Sequence, residues 1–136
     1  MSLTASCLCG AVRYQPNSEP ASSGHCYRAD CRKATGGGHL TIVAVPDASV
    51  TVTGTIRSHS RPAGSGQLVE RFFCPTSGST LYSRPQAMAG LTMLHAGTLE
   101  NPRQVAPPMS IVTSRAVAWD PPAASLPGFP ELPPRR

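Results

Sequence analysis

Prolines and glycines interrupt this chain so often that long regular elements have little room. The 136 residues contain 15 prolines and 12 glycines, and neither residue is favourable inside a helix or a strand. No segment shows an apolar stripe at helical spacing for more than two turns. Short runs such as the β-branched Leu40–Val45, and Leu68–Phe73 and Leu91–His95, predict strands instead. The fold class is therefore expected to be all-β, a small sandwich of packed antiparallel sheets.

The remaining segments predict how the chain is organised around these strands. One short helical turn is expected over Ala29–Thr35, before three consecutive glycines. Two strand-like runs on either side of Gly54, residues 49–53 and 55–58, predict a hairpin. Residues 1–120 are expected to form a single domain, and residues 121–136 a proline-rich tail that Leu126 and Phe129 dock onto the body.

Charge and the N-terminal segment limit the partners and the compartment. The net charge is +5 with a pI near 9.3, but the basic residues are scattered and do not interleave with aromatics. A small anionic ligand accounts for such arginines as well as nucleic acid does, so nucleic acid is not the expected partner. No membrane span or signal peptide is visible. We expect a cytoplasmic protein, and its five cysteines are then expected to be metal ligands or reactive thiols rather than disulfides.

Three of the cysteines lie in turn sequences that are typical of zinc sites. Cys7 and Cys9 flank one residue before a glycine, and Cys74 opens the sequence Cys-Pro-Thr-Ser-Gly. A Cys-x-x-Cys-Gly turn is a common zinc half-site, and here Ser77 stands where the second cysteine would be. Cys7, Cys9 and Cys74 are predicted to share one zinc ion, whose fourth ligand is Ser77, a water or a histidine.

Cys26 and Cys31 form a second group, five residues apart. Two cysteines alone do not define a metal site, and His25 is the nearest candidate for a third donor. Arg32 and Lys33 follow directly and favour thiolates. A metal site, a redox pair and a purely structural role all remain open for these two cysteines.

The order and spacing of these pieces resemble the glutathione-dependent formaldehyde-activating enzyme family, which includes centromere protein V. The resemblance spans most of residues 3–120 and implies an all-β, Mss4-like fold with two zinc ions. The stretches that carry it are Cys-Leu-Cys-Gly-Ala-Val-Arg-Tyr (7–14), Gly-His-Cys (24–26), Asp-Cys-Arg-Lys-Ala-Thr-Gly-Gly (30–37), Arg-Phe-Phe-Cys-Pro-Thr (71–76), Gly-Ser (78–79), Leu-Tyr (81–82) and Ala-Gly-Thr-Leu (96–99).

This sequence departs from the family pattern at one ligand of each zinc site. The resemblance implies a structural zinc at Cys7, Cys9, Cys74 and the position of Ser77. It implies a catalytic zinc at Cys26, Cys31 and the position of Arg28. Arginine is always cationic and cannot bind zinc. One zinc is therefore expected, and a second is expected only if Cys26 and Cys31 retain it.

Two hypotheses about function follow from the resemblance. In the first, the chain is a zinc-dependent carbon–sulfur lyase-type enzyme for the adduct of glutathione and formaldehyde. Cys26 and Cys31 are then catalytic, and the glutathione carboxylates meet Arg28, Arg32 and Lys33. A metal-free variant uses Cys26 or Cys31 directly on the electrophile. In the second, the chain is a catalytically impaired, zinc-containing binding module with the same fold. The sequence does not specify the oligomeric state.

Overall fold

The computed structural model describes residues 3–133 and confirms the all-β class. Eleven short strands and one α-helix account for most of the regular structure in this range, with five single-turn 3-10 helices between them. The strands are β1 (Ala5–Ser6), β2 (Arg13–Pro16), β3 (Ser22–Cys26), β4 (Leu40–Pro46), β5 (Val50–Thr53), β6 (Arg57–Pro62), β7 (Leu68–Phe73), β8 (Thr80–Pro85), β9 (Leu91–His95), β10 (Ser110–Ile111) and β11 (Gly128–Phe129). The helix α1 spans Ala29–Thr35, and the 3-10 helices span Asp47–Ser49, Gln86–Met88, Ala96–Thr98, Pro102–Gln104 and Thr113–Arg115.

The strands form two sheets. The small sheet has the order β1-β2-β5, and the large sheet has the order β11-β10-β3-β4-β9-β8-β7-β6. All strand pairs are antiparallel except β10, which pairs in parallel with β3 and with β11. Over the described residues, no helix has the length and apolar character that crossing a membrane requires.

The core lies between the two sheets. Buried side chains of β4, β8 and β9 on one side meet buried side chains around β1 and β2 on the other. Tyr14 donates its hydroxyl hydrogen to the carbonyl oxygen of Leu81 (2.8 Å) and so ties the two layers together. The buried members are Leu3, Ala5, Cys7, Val12, Tyr14, Val43, Val45, Cys74, Leu81, Tyr82, Leu94, Ala96 and Leu99.

Side-chain alternation divides the large sheet into an inner and an outer face. Val43 and Val45 of β4 point into the core, so Leu40, Ile42 and Ala44 point outward. Cross-strand partners share a face, and Cys26 is paired with Leu40. Cys26 therefore lies on the outer face, beside α1.

The structure changes two details of the predicted organisation. The predicted hairpin around Gly54 is wrong, because β5 pairs with β2 in the small sheet whereas β6 pairs with β7 in the large sheet. Phe129 is half-buried and belongs to β11, which extends the large sheet beyond β10. The boundary at residue 120 stays a prediction, and residues 134–136 of the predicted tail lie outside the described range.

Candidate functional site

Three thiols from two distant parts of the chain converge at one end of the core. Cys7 and Cys9 lie in the turn after β1, and Cys74 directly follows β7. The Sγ atoms of Cys7 and Cys9 are 3.6 Å apart, those of Cys9 and Cys74 are 3.7 Å apart, and all three lie within 4.8 Å of one another. Thiolates bound to one tetrahedral zinc stand about 3.8 Å apart, given a zinc–sulfur distance of about 2.3 Å. The cluster could therefore hold a metal ion.

Backbone amides support the two buried sulfurs of this cluster. The N–H of Val12 donates to Cys7 Sγ (3.3 Å), and the N–H of Ser77 donates to Cys74 Sγ (3.4 Å). Burial raises the pKa of the Cys7 thiol, but hydrogen bonds from Val12 and the neighbouring thiols outweigh it and lower the pKa to about 6. Hydrogen bonds from the side chain and backbone of Ser77 lower the pKa of Cys74. Both environments favour the thiolate, which is the form that binds metal.

A glycine closes each of the two turns. Gly10 has a φ of 79° and donates its N–H to the carbonyl of Cys7, and Gly78 has a φ of 76° and donates to the carbonyl of Cys74. Other residues rarely adopt this left-handed conformation. The two glycines thus let each turn curl its amides toward a sulfur.

Ser77 and Ser79 lie beside the three thiols. The Ser77 side chain helps to lower the pKa of the thiols of both Cys74 and Cys7, and its Oγ lies 3.2 Å from Ser79 Oγ. Ser79 Oγ in turn accepts the N–H of Leu8 (2.8 Å), which joins the two turns. The structure thus brings Ser77 next to the cluster, and its role as a fourth ligand stays a prediction. Sequence reasoning missed Ser79 as the link.

Cys26 and Cys31 also meet. Cys26 is the last residue of β3, and Cys31 lies in α1, which folds back so that its thiol donates to Cys26 Sγ at 3.2 Å. This hydrogen bond lowers the pKa of Cys26 to about 7 in spite of burial, and the guanidinium groups of Arg28 and Arg71 act in the same direction. The pKa of Cys31 is raised, because its proton is held by the neighbouring sulfur. Of the two thiols, Cys26 is therefore the one that ionises first, while Cys31 keeps its proton.

The surroundings of this pair do not fit a second zinc ion. Between residues 3 and 133, no group of three or more His, Cys, Asp or Glu donors includes Cys26 and Cys31. His25 pairs with Thr41 on the inner face of the sheet, opposite to Cys26. Its Nδ1 is hydrogen bonded to Thr41 Oγ1 (2.8 Å), and its ring packs on that of His39. Two thiols beside a permanent cation leave a tetrahedral metal without a sufficient donor set.

The three predicted substrate-binding cations differ in their surroundings. Arg28 precedes α1, and its charge acts on both Cys26 and Cys31. Arg32 donates from Nη1 to the carbonyl oxygen of Arg115 (2.9 Å), so it fastens α1 to the C-terminal segment. Lys33 is exposed. Only Arg28 is placed electrostatically at the pair of thiols.

Sequence reasoning missed two outer-face residues near this pair. Arg71 of β7 lies opposite Ser83 of β8, and Ser83 lies opposite Met93 of β9. Met93 in turn lies opposite Ala44, which points outward, so Arg71 lies on the outer face as well. His95 pairs with Ile42 and shares the same face. Nothing in their local sequence marks either residue, because only the pairing of β4, β9, β8 and β7 brings them to this face.

His95 is buried beside a polar cavity of about 280 Å3. Neither ring nitrogen makes a well-formed hydrogen bond, although the backbone of Thr80 lies close. Burial lowers the pKa of His95 to about 4. The ring is therefore neutral at physiological pH. The cavity is lined by Thr35, His39, Leu40, Thr41, Thr80, His95, Gly97 and Thr98.

His95 should make the fold sensitive to mild acid. Its pKa is near 6.5 when unfolded and about 4 when folded, so the unfolded state takes up a proton first as the pH falls. Stability is then lost progressively from about pH 6.5 down to pH 4. When the pH falls from 7.5 to 5.5, the free energy of unfolding should decrease by roughly 1 to 1.5 kcal/mol more in wild type than in His95→Gln. Urea denaturation with zinc present measures this difference. Parallel losses in the two proteins would contradict this assignment.

The family model described as "Glutathione-dependent formaldehyde-activating enzyme" matches residues 2–115. A crystal structure of a Rhodobacter sphaeroides protein superposes with a TM-score of 0.57 at 20% identity, and covers 74% of this chain and 93% of that one. At this identity the superposition supports the fold alone. No curated protein matches the chain significantly.

Proposed function

The chain belongs to the glutathione-dependent formaldehyde-activating enzyme family, and from this premise we propose that it is an enzyme of the carbon–sulfur lyase type. Its reaction joins formaldehyde to the thiol of glutathione, giving S-hydroxymethylglutathione, or runs in reverse. The chemistry takes place at Cys26 and Cys31. Because glutathione is held reduced in the cytosol, we propose that the protein acts there.

We further propose that the three-thiol cluster binds one zinc ion with a structural role. Cys7, Cys9 and Cys74 would hold it, and Ser77 or a water would complete the coordination. The ion would stabilise the folded state, because the site does not exist in the unfolded chain. No step of the proposed reaction involves it.

The observation that carries the catalytic proposal is the hydrogen bond from Cys31 to Cys26 beside two arginines. A thiolate is a strong nucleophile, and Cys26 accepts the proton of Cys31 at 3.2 Å. Arg28 and Arg71 supply positive charge at the same place. Carboxylates are the natural partners of guanidinium groups, and glutathione carries them at both ends.

A metal-free reaction fits this arrangement. The Cys26 thiolate adds to the formaldehyde carbon, a carbon–sulfur bond forms, and the carbonyl electron pair moves to oxygen. That oxygen takes the proton of Cys31. The thiolate of a glutathione bound by Arg28 then attacks the same carbon. The new carbon–sulfur bond forms as the Cys26–carbon bond breaks, and the electron pair of the broken bond returns to Cys26. The product keeps the hydroxyl proton that Cys31 gave, and Cys31 takes up the proton that the glutathione thiol released on ionising.

The alternative function is a binding module that retains the fold and one zinc. The observation in its favour is Arg28, which occupies a position where the family pattern has a cysteine. Such a module would bind a glutathione-like thiol peptide through Arg28 and Arg71 without turnover. It predicts at most one zinc per chain and no adduct formation above the uncatalysed rate.

Replacing Cys31 tests the enzyme hypothesis. We expect Cys31→Ala to slow adduct formation by roughly 100-fold or more, because the addition loses its proton donor. The assay is steady-state formation of S-hydroxymethylglutathione, corrected for the uncatalysed reaction.

Two controls accompany this assay. Ser60→Ala, on the exposed strand β6, should keep the full rate, and Cys31→Ala should keep the zinc content of wild type. A rate that Cys31→Ala leaves unchanged would end the enzyme hypothesis. A wild-type protein with one zinc and no rate above background would favour the binding module.

A further inference from the structure

Cys26 and Cys31 differ from the other three cysteines in their spacing. Their sulfurs are 3.2 Å apart, whereas the neighbouring sulfurs of the three-thiol cluster are 3.6 and 3.7 Å apart. A disulfide bond is about 2.05 Å long, so the pair needs to close by little more than 1 Å. No third donor within residues 3–133 holds the two sulfurs apart around an ion.

The element that carries Cys31 lies outside the core. The helix α1 has seven residues, none of them buried, and its N-terminus has no side-chain cap. Cys26 by contrast is fixed at the end of β3 by pairing with Leu40 and Ile111. A small shift of α1 toward the sheet is therefore enough to bring the two sulfurs together, and the core between the sheets is not disturbed.

From this geometry we propose that Cys26 and Cys31 are a redox-active dithiol that reduces a low-molecular-weight disulfide of the glutathione type. The Cys26 thiolate attacks one sulfur of the oxidant, which gives a mixed disulfide and releases one thiolate. That thiolate takes the proton of Cys31. The Cys31 thiolate then attacks Cys26 Sγ, forms the intrachain disulfide and releases the second thiolate. Two protein thiols are oxidised and one small disulfide is reduced.

The charges around the pair favour this class of oxidant. Arg28 and Arg71 place two permanent cations at the thiols, and glutathione disulfide carries several carboxylates. Cys31 is only half-buried, so an oxidant can approach from the side of α1. This activity uses no formaldehyde, so it can be present or absent whatever the outcome of the adduct assay.

The sequence makes the product easy to identify. Trypsin cleaves after Arg13, Arg28 and Arg32, so Cys26 and Cys31 fall on separate peptides, residues 14–28 and 29–32. Only a disulfide keeps these two peptides together. The reduced full-length protein, with zinc bound, is incubated without oxygen in defined mixtures of glutathione disulfide and glutathione, quenched with acid, alkylated, digested and analysed by mass spectrometry.

We expect wild type to lose two of its five thiols, to retain no glutathione and to yield the joined peptides 14–28 and 29–32. Cys31→Ser should stop at the mixed disulfide on Cys26, since the resolving thiol is gone. In Arg28→Cys with zinc, the restored third thiolate should protect the pair and lower the number of thiols lost several-fold. These thiols are counted on the intact alkylated protein, because the variant lacks the tryptic site at residue 28.

Three results would overturn the proposal. They are a wild-type protein that stays reduced, one that ends as a stable mixed disulfide, and one whose lost thiols are Cys7, Cys9 or Cys74. Oxidation of Arg28→Cys to the same extent as wild type would overturn the role given to Arg28. None of these results depends on catalysis of the formaldehyde reaction, so failure of that function remains distinguishable.

Discussion

Cys74→Ser is expected to abolish stoichiometric zinc binding and to produce the largest loss of stability of any single change at the candidate site. Cys74 is fully buried, and of the three sulfurs in the cluster it is the one that comes from the turn after β7. Its removal leaves two thiols, too few for a tetrahedral zinc. At zinc concentrations a thousandfold above the dissociation constant, the lost binding corresponds to about 4 kcal/mol of unfolding free energy.

The measurement combines metal analysis with denaturation. Zinc per chain is counted by atomic emission, and the free energy of unfolding is obtained from urea titrations with zinc or with a chelator. Wild type should lose stability on chelation, whereas Cys74→Ser should already resemble the chelated protein. Cys31→Ser is the matched control, because it removes a thiol outside the cluster and should keep one zinc. One zinc per chain in Cys74→Ser would refute the assignment.

The strands and the helix were predictable where local sequence settles the conformation. The prediction coincides with α1, β7 and β9, and β4 extends it only by Pro46. Each of these segments combines strong local propensity with a proline, glycine or cysteine turn at its end. The local sequence of a strand does not indicate which other strand it pairs with. Gly54 therefore suggested a hairpin, although β5 and β6 belong to different sheets.

The candidate site, too, was predictable only where local sequence determines it. The three-thiol cluster was predicted because its turns, Cys-x-Cys-Gly and Cys-Pro-Thr-Ser-Gly, are local motifs. Arg71 and His95 were missed because register alone brings them to the outer face of the large sheet. His25 is adjacent to Cys26 in sequence, yet successive side chains of a strand point to opposite faces. His25 and Cys26 are therefore adjacent in sequence, but their side chains lie on opposite faces of the sheet.

Ser77→Cys is expected to tighten zinc binding by roughly 100-fold, which corresponds to about 2.7 kcal/mol. The Ser77 backbone N–H already donates to Cys74 Sγ at 3.4 Å, and its side chain helps to lower the pKa of both Cys74 and Cys7, so a sulfur at this position is expected to reach the same ion. A thiolate binds zinc far better than a hydroxyl, whose proton is much harder to remove. Zinc binding should also release one additional proton, because the new thiol must ionise.

The matched control for this gain is Thr76→Cys. Thr76 belongs to the same turn, but its side chain is exposed, so the added thiol should point to solvent and leave zinc affinity unchanged. Affinity is measured by competition with a chromophoric chelator at fixed pH, and proton release by titration in weak buffer. If Ser77→Cys and Thr76→Cys bind zinc equally well, Ser77 does not occupy the fourth corner of the site. If only Ser77→Cys gains affinity, the three thiols and Ser77 surround a single ion, and this chain has retained the geometry of a four-thiolate site after losing one of its sulfurs.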